Sequence, residues 1–185
     1  MIMMRYFIFL QLTFFSFSSF ADVKLKDLVA PSGFEITIFA DNLNTPRQIT
    51  ETVQGYVIVG SKKGDKIYAL RDNDLDGYAE KQILIADGLQ NPTGVTIFEG
   101  DLYFAEIDTI WIVKNIDEWL SKKSKSLPKK SIYMNNLPSE TWHGFKYIDF
   151  GPDGNLYIPV GVPCNICIEP QTNDNRFAAI HKYKD

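Results

Sequence analysis

A histidine, an acidic run and a pair of cysteines are the side chains of this sequence with the most chemistry to offer. His143 stands shortly ahead of Gly151-Pro152-Asp153-Gly154. An imidazole, with an unperturbed pKa of about 6.5, holds and releases a proton near neutral pH, as a general base must. The run Asp72-Asn73-Asp74-Leu75-Asp76-Gly77-Tyr78-Ala79-Glu80 sets three carboxylates on alternate positions, then a glycine for a sharp turn and an acidic residue beyond it. Hard oxygens so spaced suit Ca²⁺, which takes oxygen ligands at about 2.3–2.6 Å. The candidate ligands are Asp72, Asp74, Asp76, Tyr78 and Glu80, in a structural role. Ile83 replaces the glutamate that closes a helix-flanked calcium loop, so the flanks read as strands. A plain polar hairpin turn is the alternative, since Asp and Gly dominate turns anyway. Cys164 and Cys167 are followed by Ile168, which excludes haem attachment, and no further zinc ligands lie nearby. They form a short-loop disulfide or remain free thiols. His181, within Ala179-Ile180-His181-Lys182-Tyr183, reads as an ordinary strand residue.

The elements that position these groups have a period of two. Phe145, Tyr147 and Asp149 alternate with Lys146, Ile148 and Phe150; Leu156, Ile158 and Val160 alternate with Tyr157, Pro159 and Gly161. A Pro-Asp-Gly turn between them completes a hairpin. The same layout occurs three times, over Pro46 to Gly60, Pro92 to Ala105 and His143 to Gly161, at a spacing suited to propeller blades. The first blade is expected over 47–52, 56–61, 66–71 and 80–86, and the second over 93–98, 101–106, 109–114 and 131–135. The third covers 145–150, 155–161 and 177–183, and its fourth strand is missing. A further strand is expected over Phe34–Ala40. Between the last two strands of the second blade, Ile116, Trp119 and Leu120 at helical spacing predict a short helix, followed by a basic, solvated loop.

Equivalent positions of successive blades face one channel, so this repeat expects Arg47, Thr93 and His143 to ring one mouth of it. Arg47 would there hold an anionic group or make an inter-blade salt bridge. Thr93 and Asn91 line the mouth or serve as turn and strand-start residues. The fold class is all-β, a β-propeller of which this sequence encodes about three blades. Propellers close by radial repetition, so the sequence is expected to be the N-terminal portion of a longer product, with exposed blade faces that promote aggregation when expressed alone.

A net charge of −4 across 185 residues, with no basic stripe, gives nucleic-acid binding no electrostatic footprint. At the start, Arg5 precedes the apolar run Tyr6–Phe17, and Ser19-Phe20-Ala21 supplies the small residues of a cleavage site. This is the pattern of a secretory signal peptide over residues 1–21, with the propeller portion over 22–185. A membrane anchor would need about 20 apolar residues, and Gln11 and the serines interrupt the run too early. The expected location is periplasmic or secreted, where a disulfide persists.

From about Gly33 to about Tyr183 the sequence resembles the sorbosone dehydrogenase-like branch of the quinoprotein sugar dehydrogenases. The residues that carry the resemblance are Trp142 to Gly161 with Pro163-Cys164-Asn165-Ile166-Cys167 behind it, and Pro46-Arg47-Gln48, Ala86-Asp87-Gly88-Leu89, Gly100-Asp101-Leu102-Tyr103 and Arg176-Phe177-Ala178. The resemblance implies a six-bladed ring that binds pyrroloquinoline quinone (PQQ). It also implies oxidation of a sugar or sugar aldehyde with delivery of electrons to an external acceptor. It makes His143 the general base, and with the cofactor it implies, the repeat makes Arg47, Asn91 and Thr93 the candidate cofactor-binding residues. In that family most PQQ-holding side chains come from later blades, so this chain alone is expected to be inactive. Two other readings of the fold are a non-enzymatic module that binds a ligand at its channel mouth and a calcium-dependent lactonase-like hydrolase.

Overall fold

A computed structural model describes residues 24–122, 124–166 and 174–184. The signal peptide expected over 1–21 and Cys167 lie outside them. The chain divides into two units, Met1–Thr37 and Ile38–Asp185. In the first, a 3-10 turn spans Leu25–Asp27. The strand expected over Phe34–Ala40 does not form, and Phe34 is 75% exposed. Extended chain gains ladder bonds only beside a partner strand, and no described strand pairs with this segment.

The second unit is three antiparallel meanders in chain order. The first comprises β1 (Pro46–Glu51), β2 (Val57–Ser61), β3 (Ile67–Arg71) and β4 (Lys81–Ala86); the second comprises β5 (Gly94–Phe98), β6 (Asp101–Ala105), β7 (Ile110–Val113) and β8 (Lys130–Met134). The third holds β9 (Asp149–Phe150), β10 (Leu156–Val160) and β11 (Ala179–Tyr183), ordered β11-β10-β9. Each meander is a propeller blade, and the fold is all-β. The short helix α1 (Ile116–Ser121) falls where helical spacing placed it, with Ile116 and Leu120 buried.

Blades hold together through alternating side chains. Along β6, Leu102 and Phe104 point one way, into a layer with Ile58, Ile67, Ile85 and Val95 that α1 closes with Ile116 and Leu120. Tyr103 and Ala105 point the other way, into a layer with Ile112, Ile148, Leu156, Ile158 and Val160. Every residue of β6 is therefore buried, as a period of two requires when both faces of a sheet are covered. Phe98 of β5 stacks on Phe150 of β9 with ring centroids 4.1 Å apart. The far face of the first blade, Val59 and Leu70, is covered by Ala40 and Leu43. The outer face of the third is open, with Ile180 73% exposed.

Two glycines permit the close approach of neighbouring blades. A Cβ on Gly60 would lie 2.2 Å from the Thr93 carbonyl oxygen, and one on Gly94 would lie 2.3 Å from that of Lys146. Both are distances at which the next blade's backbone would have to move.

The first strand of the third blade is shorter than expected. The sequence suggested 145–150, whereas only Asp149 and Phe150 pair with β10. The hairpin closes with Gly151 N–H donating to Asn155 O at 2.9 Å, so Asn155, and by alternation Tyr157 and Pro159, turn their backbone groups toward β9. Pro159 has no N–H to give. The ladder stops there, and the Ile148 backbone is met by Gln48 of the first blade.

Candidate functional site

Three left-handed residues open the three blades. Thr45 has φ +47°, Asn91 +50° and His143 +57°, a region that non-glycine residues seldom enter. Lys62 N–H donates to Thr45 O at 2.9 Å, and Gly161, at the corresponding end of β10, lies so close that an added Cβ would be 2.8 Å from His143 O. His143 is therefore the counterpart of Thr45 and Asn91. The repeat read from sequence had aligned it with Arg47 and Thr93, two residues further on. That offset preserves the face and changes the depth along the channel.

After His143 the chain runs extended, and its burial alternates without a break. Gly144, Lys146 and Ile148 are buried; His143, Tyr147 and Asp149 are exposed, and Phe145 is half-buried between them. Gln48 of β1 fixes this segment. Its side-chain amide nitrogen donates to Val95 O of β5 at 3.0 Å and to Ile148 O at 2.9 Å, and its oxygen accepts from Ile148 N–H at 3.3 Å. Thr96 of β5 adds a hydroxyl bond to the Asp149 carboxylate at 2.8 Å.

On the open face, side chains of the first blade cross to the third. The Arg47 Nε donates to the Tyr147 hydroxyl, and its guanidinium carbon lies 5.9 Å from the centre of that ring. The Lys62 ammonium lies 5.1 Å from the centre of the Phe145 ring. Among the described residues no carboxylate pairs with either cation. His143 is the outermost member of the same row, and its ring lies 5.8 Å from that of Trp142. The structure therefore brings Arg47 to the His143 segment. Thr93 faces inward, fully buried, with its hydroxyl donating to Ser61 O at 3.4 Å and Asn91 O at 3.3 Å. Asn91 is half-buried beside it.

Lys146, Lys62 and Tyr147 were not singled out from sequence. Lys146 is 1% exposed, and its ammonium donates to Gly144 O at 2.6 Å, bracing the turn that carries His143. Burial pushes its pKa down to about 8, against the opposing pull of Asp108 and Glu140. Its position inside a run of strict alternation was the available signal. A lysine on the same parity as Ile148 must face the core.

At the far end of the first blade, the β3–β4 loop gathers Asp72, Asp74, Asp76 and Glu80 so that one oxygen from each lies within 4.8 Å of the others. Gly77 takes φ +94° at the turn, and the Asp72 carboxylate accepts from Leu75 N–H at 2.7 Å and Gly77 N–H at 2.9 Å. The Asp74 pKa is raised, first by its hydrogen bond to Glu80, while Glu80 is lowered by the Asn73 N–H. Four carboxylates gathered this closely have the donor chemistry of a hard-cation site. Tyr78, the fifth expected ligand, turns its hydroxyl to Asp41 at 3.1 Å, so only its backbone remains for an ion. Cys164 is disulfide-bonded, and His181 meets Arg176 O at 2.8 Å as a strand residue.

The family described as a domain of unknown function, DUF7133, matches residues 60–182, well over half of the chain. This chain belongs to that family. An uncharacterized protein of Borreliella burgdorferi is 28% identical over 159 residues, an alignment covering 78% of this chain and 38% of that protein. The calcium structure of a Trichoderma reesei enzyme of carbohydrate-active family AA12 superposes with a TM-score of 0.68 at 17% identity, over 84% of this chain and 39% of that one. The holo pyranose dehydrogenase PQQ domain of Coprinopsis cinerea gives 0.59 at 16%, over 75% and 33%. The PQQ-bound aldose sugar dehydrogenase of Streptomyces coelicolor gives 0.55 at 17%, over 80% and 46%. At such identities the likeness is one of fold, and this chain spans less than half the length of each of these proteins. Among the described residues of this DUF7133 member no helix is long and apolar enough to cross a membrane.

The buried amine of Lys146 makes stability depend on pH. Its folded pKa lies below its ordinary 10.5, so between about 8 and 10.5 the unfolded chain holds a proton that the native state has lost. Stability should rise through that window, by at most on the order of 3 kcal/mol. Urea titrations from pH 7.5 to 10.5 should show the rise in the wild type and lose it in Lys146→Met. Equal pH profiles for the two proteins would contradict the assignment.

Proposed function

We propose that this chain forms the leading blades of an exported, PQQ-dependent oxidoreductase of the sorbosone dehydrogenase-like branch, acting on a sugar or sugar aldehyde. The observation that carries the reading is the placement of His143. It sits exposed, with left-handed backbone, at the head of the segment that leads into β9, on one row with the aromatic side chains that Arg47 and Lys62 reach. The fold likeness to a PQQ domain and to a PQQ-bound sugar dehydrogenase supports it.

In this reading His143 takes the proton of the substrate hydroxyl at a ring nitrogen while a hydride leaves the adjacent carbon. PQQ, when bound, would accept that hydride, and an external acceptor would then remove the two electrons. Lys146 and Gln48 act on His143 only by holding its segment. Arg47 contributes a fixed positive charge at the same face, and Asn91 and Thr93 shape the adjoining turn. The rest of the cofactor pocket would come from blades beyond these three, so the chain by itself would be inactive. Asp72, Asp74, Asp76 and Glu80 would hold Ca²⁺ as a brace for the first blade, remote from the chemistry. Export fits the signal-peptide pattern and the bonded Cys164.

In the full-length protein, His143→Ala should lower PQQ-dependent dye reduction by about 10²-fold or more, with PQQ affinity held within about twofold. Undiminished dye reduction would remove the base assignment. Chelator should lower the melting temperature of the full-length protein, and Ca²⁺ should restore it. A melting curve indifferent to both would leave the acidic loop as a polar turn.

A further inference from the structure

We propose that Lys62 joins Arg47 in one carboxylate-binding site at the axial face of the first and third blades. The inference rests on the reading of this face as the ligand-binding face and extends it to a residue and a ligand chemistry. Lys62 follows β2 directly, and its N–H bonds Thr45 O at 2.9 Å, just ahead of β1. Arg47 is the second residue of β1. The two side chains therefore leave neighbouring positions of one antiparallel pair. They land on Phe145 and Tyr147, two residues apart on a single extended segment, at 5.1 Å and 5.9 Å from the ring centres. Positions so spaced along an extended chain lie about 6.6 Å apart, which sets the scale of an anion that both side chains would share.

Charge and chemistry point the same way. Two cations reach alternate residues of one segment in a chain of net charge −4, and neither has a carboxylate partner among the described residues. The Arg47 guanidinium, bound to the Tyr147 hydroxyl through Nε, and the Lys62 ammonium over the Phe145 ring keep further donors free. An anionic group arriving there would gain charge-assisted hydrogen bonds, and Phe145 and Tyr147 would supply an apolar floor. His143 lies two residues before Phe145 on the same row. A molecule anchored by its carboxylate at Lys62 and Arg47 would extend along that row toward the imidazole. The carboxylate has two sources with one chemistry, PQQ itself or an acidic sugar.

The test uses the full-length protein, with PQQ and D-glucuronate as separate probes in titration calorimetry. Lys62→Gln should weaken the responsible probe about tenfold, Lys62→Arg should restore most of the loss, and added salt should shrink the difference between variants. Loss confined to PQQ assigns the cofactor carboxylate, and loss confined to glucuronate assigns an acidic substrate. Thermal melts confirm folding, and Lys62→Gln decides the matter even if Arg47→Gln unfolds, because the substitution keeps the Lys62 N–H bond to Thr45 O and removes only the side chain's contact to the Phe145 ring. Unchanged affinity for both probes in Lys62→Gln, or no binding of either by the wild type, would overturn the site. Carboxylate binding that depends on Lys62 in a protein with no dye reduction would keep the site and discard the dehydrogenase reading.

Discussion

One side-chain amide joins the innermost strands of all three blades. Gln48 leaves β1 and reaches the Val95 carbonyl in the second blade and both backbone groups of Ile148 in the third. The apolar layers between blades are non-directional and would tolerate sliding. An amide with three partners in fixed directions does not, because each buried backbone group it serves would otherwise stay unpaired at a cost of about 1–3 kcal/mol. The radial order of the blades comes from the layers, and their axial register from this contact, with Thr96 and Asp149 as its second point.

The position of His143 follows from what meets the two edges of its segment, Gln48 on one and β10 on the other. Had β10 carried an N–H at Pro159, the natural continuation would pair 147 with 159 and hold the segment as a longer strand. Proline removes the donor on the β10 side, and Gln48 holds the Ile148 backbone from the opposite edge. The turn at its head is then braced from inside by the Lys146 ammonium on Gly144 O. A second close contact sets its outer limit, where Gly161 admits the His143 carbonyl. Exposure of the imidazole is thus a product of three particular residues, Pro159, Gln48 and Lys146.

Much of this was legible in the sequence. Strict alternation and glycine-bearing turns located the strands of the first two blades within a residue or two, the Pro-Asp-Gly hairpin of the third, and α1. These features depend on local chemistry and a single period. The depth at which each innermost strand enters was not legible. A shift of two residues leaves the period intact, so the alignment of His143 with Arg47 and Thr93, in place of Thr45 and Asn91, violated no pattern. Thr93 was placed at the channel by that same alignment, with a strand-start role as the alternative, and its buried hydroxyl bonds Ser61 and Asn91 as such a residue does. The segment Phe34–Ala40 has the alternation of a strand and forms none, since pattern gives propensity and only a neighbour gives a ladder. The convergence of Lys62 and Arg47 on one segment of another blade depends on side-chain direction across a sequence separation no periodicity covers.

The central claim is that Gln48 holds the His143 segment against the other blades. Hydrogen exchange at the Ile148 amide tests it most directly, in the wild type and in Gln48→Leu. The account predicts strong protection in the wild type and fast exchange at Ile148 in the variant, while Phe104 and Ile112, inside the second blade's ladder, keep their protection. Equal protection of Ile148 in both proteins would contradict it.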